Sequence, residues 1–166
     1  MIDPIFTPAI MLRDYAWQVL KLNMPDVWNE SEYGGMVPVV AAAEEPDLSQ
    51  YTGPIIIYGY ALSGTGLISD LNNGSITFAI YDTDNRRLNK TLMILKAAFE
   101  RHDESARYVN NHTTAKAGSW IGLRFTNINI GFVEGGSPET TEAGRQSGLI
   151  NIRFSYVADY NVQLPS

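Results

Sequence analysis

The sequence predicts an α+β fold, a mainly antiparallel sheet of about four to five strands with two main helices packed on one face. Three observations predict it. Two segments carry apolar residues at helical spacing, and at least four more are alternating or continuous apolar runs rich in β-branched and aromatic residues. They fall in the order helix, long irregular stretch, two strands, helix, two strands, which favours neighbouring strands paired antiparallel over parallel crossovers. No repeat or second domain is evident in 166 residues, a length that a single hydrophobic core can serve.

The first helix is expected over residues 7–23. Thr7 can cap it and Pro8 then occupies the first turn, where a missing N–H costs nothing. Leu12, Tyr15, Ala16, Val19 and Leu20 recur at spacings of three and four, and Pro25 ends the run. Residues 26–53 have no sustained period and contain Tyr33-Gly-Gly, Pro38 and Glu44-Glu-Pro-Asp, all turn signals. They read as a long connection with a short strand near 37–42. Residues 54–61 form a nearly continuous apolar run, as in a strand buried on both faces. Asn72-Asn-Gly reads as a turn before residues 75–81, where Ile76, Phe78 and Ile80 alternate with Ser75, Thr77 and Ala79. These two strands are expected to pair antiparallel.

Asp84 is the preferred cap of a helix over 85–101, whose stripe Leu88, Leu92, Leu95 and Phe99 is the strongest helical pattern in the chain. Asp103 can cap a second short helix through Asn110. Residues 120–133 have strand composition with a change of phase. Ile121, Leu123 and Phe125 share one face while Ile128, Ile130 and Phe132 fall on the other, and a bulge near Thr126-Asn127 would restore a single buried face. Residues 134–147 read as an exposed loop. Ile150, Ile152, Phe154, Tyr156, Ala158 and Tyr160 then alternate with polar residues in the clearest strand of all.

The composition narrows the chemistry. With 45% hydrophobic residues the chain is not disordered. It has no cysteine, which removes disulfides, thiolate metal sites and cysteine nucleophiles together. No apolar run approaches the roughly 18 residues of a membrane span, and the N-terminal Met1-Ile-Asp-Pro-Ile-Phe lacks the basic start and apolar stretch of a secretion signal. The expectation is a soluble protein made and kept inside a cell. His102 and His112 are too few for a metal cluster. Ser63-Gly-Thr-Gly lacks the lysine and helix of a phosphate loop, and no serine sits in a nucleophile elbow. The pairs Glu44-Glu45 and Asp103-Glu104 lack the apolar enclosure that raises a carboxyl pKa for acid catalysis. The expectation is therefore no catalytic residue, no cofactor and no metal.

Charge is unevenly spread. Twelve Lys and Arg against eighteen Asp and Glu give a net charge of −6, which repels nucleic acid phosphates. Residues 23–85 contain no Lys or Arg but nine acids, and from Arg86 onward ten basic residues meet seven acidic ones. Acidic and basic regions of this kind can meet between neighbouring copies in head-to-tail contacts, which close into a ring when the rotation permits. Arg86 and Arg87, unfavourable at a helix start, add to that expectation.

Laid out in this way, the chain resembles the tail-terminator (tail-completion) proteins of long-tailed bacteriophages. The likeness lies in the amphipathic helix of residues 7–23 and the strand Pro54-Ile-Ile-Ile-Tyr-Gly-Tyr-Ala. It continues through a polar loop and the strand Gly74-Ser-Ile-Thr-Phe-Ala-Ile-Tyr-Asp, then the helix of residues 85–101. Another strand, a polar loop and the alternating Gly148-Leu-Ile-Asn-Ile-Arg-Phe-Ser-Tyr-Val complete it. The acidic stretch 26–53 is a departure from the family. The resemblance implies a virion structural protein, assembled in the host cytoplasm into a homo-oligomeric ring, usually of six subunits. That ring caps the head-proximal end of the tail tube and joins it to the neck. Its implied partners are its own copies, the tail tube and sheath proteins and the neck connector, with no sequence-specific nucleic acid and no membrane. Residues 26–53 and 134–147 are the natural contact segments, expected to order only on assembly. Glu44, Glu45, Asp47, Arg86, Arg87, Glu139 and Arg145 are the candidate contact residues. Another neck, head-completion or sheath-end component is an alternative. So is a non-viral ligand-binding module floored by Tyr58-Gly-Tyr60.

Overall fold

Proline stands first in helix α1 (Pro8–Asn23). The computed structural model describes residues 8–63, 71–101, 103–113, 121–136, 144–160 and 165, and the expected cap Thr7 lies outside them. Leu12, Tyr15, Ala16 and Leu20 are buried as the spacing requires, with Val19 packed at the core's margin. After Met24 the chain makes tight single turns at Glu30–Tyr33, Ala42–Glu44 and Leu48–Gln50 around a three-residue strand, β1 (Val39–Ala41). Trp28 is fully buried and stacks on Tyr33, ring centroids 6.3 Å apart. Tyr33 Oη in turn donates to the Pro54 carbonyl at 2.5 Å.

Five strands form one sheet in the order β1-β2-β3-β5-β4, with β2 Ile55–Ser63, β3 Leu71–Asp82, β4 Ile121–Glu134 and β5 Gln146–Tyr160. β1 joins β2 in parallel and every other pairing is antiparallel, so the sheet is mixed. Helix α2 (Asn85–Phe99) packs on β3 and β5, α3 (Asp103–Thr113) on β4, and α1 on both other helices. The short helix expected from Asp103 through Asn110 is thus present and runs on to Thr113 beside the two main helices, in an α+β arrangement. Asp84 Oδ1 accepts the N–H groups of Arg86 and Arg87 at 3.0 and 3.2 Å, which fixes the start of α2. The stripe Leu88, Leu92, Leu95 and Phe99 is buried against the even-numbered residues Ile76, Phe78, Ile80, Ile150, Ile152 and Phe154.

The phase change in β4 is resolved by a register shift between Phe125 and Asn127. Leu123, Phe125 and Ile128 consequently share the buried face. A second shift, at Gly131, was not expected. A side chain there would meet Asn151 Oδ1 at 2.1 Å, and beyond the shift Phe132 turns outward, 44% exposed. Two expectations fail. Asn72-Asn-Gly is not a turn, because β3 already begins at Leu71. Asn73 instead accepts a hydrogen bond from Ser155 Oγ at 2.7 Å, and Gly74 leaves room for the Phe154 ring. β2 is buried on both faces only at Ile55 and Ile56, while Tyr60 and Leu62 are 50% and 43% exposed. β1 pairs only as far as Tyr58, so the rest of β2 is an open margin.

Both edges of the sheet have backbone groups taken by side chains. Arg13 Nε donates to the carbonyl of Val39 at 3.1 Å. At the far edge Asn110 brackets Phe125, donating to its carbonyl at 2.9 Å and accepting its N–H at 2.7 Å. Burial raises the pKa of Tyr15, Tyr33 and Tyr58 above the ordinary 10.0. The folded state holds these protons more tightly than the unfolded chain, so stability is intact below about pH 10 and is lost as pH rises further. In an absorbance titration three of the nine tyrosines are expected to ionise only together with unfolding. A smooth titration of all nine in the folded protein would contradict this.

Candidate interface surfaces

The seven residues singled out from sequence divide by burial. Glu44, Glu45 and Asp47 are exposed beside β1. Asp47 Oδ1 accepts Ser49 Oγ at 2.7 Å and the Ser49 N–H at 3.0 Å. These bonds hold its carboxyl below the usual range. Arg86 is exposed at the start of α2. Glu139 lies outside the described residues.

Arg87 and Arg145 are corrections, because both spend their charge inside their own chain. Asp82, at the end of β3, is fully buried. Arg87 grips it with Nε to Oδ2 at 2.7 Å and Nη2 to Oδ1 at 2.6 Å, a bidentate geometry available only to arginine. The hydrogen bonds to Asp82 raise the Arg87 pKa. Arg145, just before β5, is 3% exposed. Its Nη1 donates to the Leu48 carbonyl at 2.5 Å, and its Nη2 to the carbonyls of Tyr51 and, at 2.9 Å, of Gly53. One guanidinium therefore draws a whole turn of the acidic stretch onto the start of β5. Arg87 lines one crevice with Tyr33 and Gly53, and Arg145 bonds the Gly53 carbonyl, so both lie under the same loop. Composition marked them as charged; only the fold shows them turned inward.

Grooves between the described elements are open. One lies among α1, α2 and α3, with Val19, Asn23, Ile94 and Ala97 along its walls. A second follows the outer edge of β4 beside α3. A third sits by Leu62, Gly74 and Phe154. None of these three is floored by Tyr58 or Tyr60, the residues expected to line a ligand site. His112 is exposed and stacks on Tyr108, centroids 3.8 Å apart, and His102 lies outside the described residues. Among the described residues no three His, Asp or Glu side chains are grouped to hold a metal, and no helix is long and apolar enough to cross a membrane.

Sequence reasoning missed the apolar surface of the helical layer. Leu22 is 76% and Met93 72% exposed, next to the groove residues Asn23 and Ile94. Their signal was present in the spacing: Arg86, Lys90, Met93 and Ala97 recur at four, three and four along α2, on a different side from the buried leucines. Arg86 and Lys90 make no ion pair among the described residues. By contrast, Lys21 pairs with Glu30 at 2.7 Å, Lys96 with Glu100 at 2.6 Å and Arg101 with Glu104 at 3.5 Å.

Removing the inward cations is expected to cost fold, not surface. Arg87→Met leaves the Asp82 carboxylate buried and unpaired, a loss of about 3 kcal/mol in urea unfolding. Arg145→Lys keeps the charge but cannot span the carbonyls, and a loss of about 2 kcal/mol is expected. It should come with faster amide exchange over residues 48–53. Unchanged midpoints would contradict both assignments.

Among known proteins, no protein-family model and no curated sequence matches this chain.

Proposed function

We propose that this chain is a virion structural protein, a tail terminator whose copies form a ring on the head-proximal end of a phage tail tube and join it to the neck. The observation that carries the reading is the division of exposed charge. Glu44 and Glu45 on one segment, and Arg86 and Lys90 on another, make no ion pair within the described part of their own chain. Unspent charges of opposite sign on separate surfaces suit head-to-tail contact between identical copies.

Two further features support it. The element order, a helix, an irregular segment, two strands, helices and two long strands, follows the layout on which the resemblance rests. The open grooves suit a surface that contacts large partners more than one that encloses a small molecule.

The test is direct. Purified protein, alone and mixed with tail tubes, is to be weighed by sedimentation and viewed by electron microscopy. Six-fold rings, free or seated on tube ends, are expected, and tubes so capped should stop elongating. Protein that leaves tube growth unaltered and never appears at a tube end would overturn the reading.

A further inference from the structure

We propose that the open side of the sheet binds single-stranded nucleic acid without sequence preference, with Arg107, Arg124 and Arg153 on its phosphates and a base stacked on Phe132. This goes beyond the ring reading and does not depend on it. Helices α1, α2 and α3 lie on the side where the even-numbered residues of β3 and β5 are buried. The other side carries short polar side chains. Ser75 and Thr77 on β3, Asn127 and Asn129 on β4, and Ser155 on β5 all stay at least partly exposed there. Register sets the charges among them. Down the β4–β5 ladder Arg124 stands opposite Val157, Asn127 opposite Ser155, Asn129 opposite Arg153 and Phe132 opposite Asn151.

The three arginines are exposed, and none makes an ion pair among the described residues. Arg124 shares the groove at the β4 edge with Arg107 and Asn111. Arg153 shares the groove beside Gly74 with Asn129 and Ser155. No acid lines either groove. Along the ladder the acids stand at its two ends, Glu134 opposite Leu149 and Asp159 opposite Gly122. The second register shift in β4 adds an aromatic ring to this side. It turns Phe132 outward, and a Cβ on the preceding Gly131 would come within 3.3 Å of Arg153 Nε. A guanidinium beside an exposed ring is a platform for a base.

The spacing selects the ligand. Arg153 is four residues along β5 from the partner of Arg124, roughly 13 Å at the rise of a strand. One small anion cannot close that gap, so the ligand is a polyanion. An acidic peptide would occupy the guanidinium groups and leave the ring and the amide acceptors idle. Nucleic acid uses every part: phosphates for the arginines, base edges for the donors and acceptors of Asn127 and Asn129, and a base face for Phe132. A duplex keeps its bases stacked inside, so the strand is single. With a net charge of −6 on the whole chain, the attraction is local and sensitive to salt.

Fluorescence anisotropy of a labelled oligo(dT) strand tests it. Binding is expected at low salt, and three phosphate contacts at roughly 0.7 each give a log–log salt slope of about −2. Arg124→Gln with Arg153→Gln should weaken binding roughly tenfold or more and bring the slope to about −0.7. Phe132→Ala should weaken it about fivefold with the slope unchanged. Arg86→Gln with Lys90→Gln removes the same charge from the helical layer and should leave the slope as it was. Every substituted position is exposed, and circular dichroism checks that each variant folds. The proposal is overturned if the parent protein binds no oligonucleotide at low salt. It is overturned equally if the Arg86 and Lys90 pair costs as much as the Arg124 and Arg153 pair. Displacement of the strand by poly-glutamate at equal charge would also overturn it, by assigning the surface to an acidic protein segment.

Discussion

One side of the sheet is apolar across its central strands, and covering it organises the molecule. Ile76, Phe78 and Ile80 on β3, with Ile150, Ile152 and Phe154 on β5, present one continuous surface. Leaving it in water would cost tens of kcal/mol at about 25 cal/mol per Å2 of apolar area. α2 supplies the matching leucine stripe, and α1 and α3 extend the cover to either flank. β4 can join only if its apolar residues keep to the same side, which is why the extra residue at Thr126 matters. A side-chain period of two tolerates no slip, so a phase error in sequence has to be absorbed by the backbone.

Covering that face leaves charges to be placed beneath the irregular segment. The end of β3 buries a carboxylate, Asp82, and the start of β5 buries a guanidinium, Arg145. Neither is left to water. Arg87 satisfies the first, and backbone carbonyls of the 48–53 turn satisfy the second. The stretch between Met24 and Pro54, with little regular structure of its own, takes its shape from these polar anchors together with Trp28 and Tyr33. Charges near it that have no such task remain on the surface, available to other molecules.

The fold was legible wherever one local pattern decided the outcome. The leucine stripe, the Asp84 cap, a short strand within 37–42 and the bulge at Thr126 each follow from spacing and side-chain chemistry within a few residues. What was illegible depends on residues far apart in the chain. Asn72-Asn-Gly has the composition of a turn, yet Ser155 and Phe154 on the paired strand hold it extended. Parallel pairing of β1 is decided by how the thirteen residues between Ala41 and Ile55 return, which no short pattern records. The candidate contact residues fared unevenly for the same reason. Glu44, Glu45 and Arg86 stay outside because nothing buried needs them. Arg87 and Arg145, indistinguishable from them by composition, are drawn inward by partners five residues away and more than ninety residues away.

The plugged edges of the sheet carry one more consequence. Where Arg13 occupies Val39 and Asn110 occupies Phe125, an incoming strand finds those backbone groups already bonded, so strand addition is opposed at these two points. A joint between copies at these points must then be made of side chains. Such a joint can open without unravelling a subunit, which lets a wrongly seated copy leave and try again before a closed structure locks it in place.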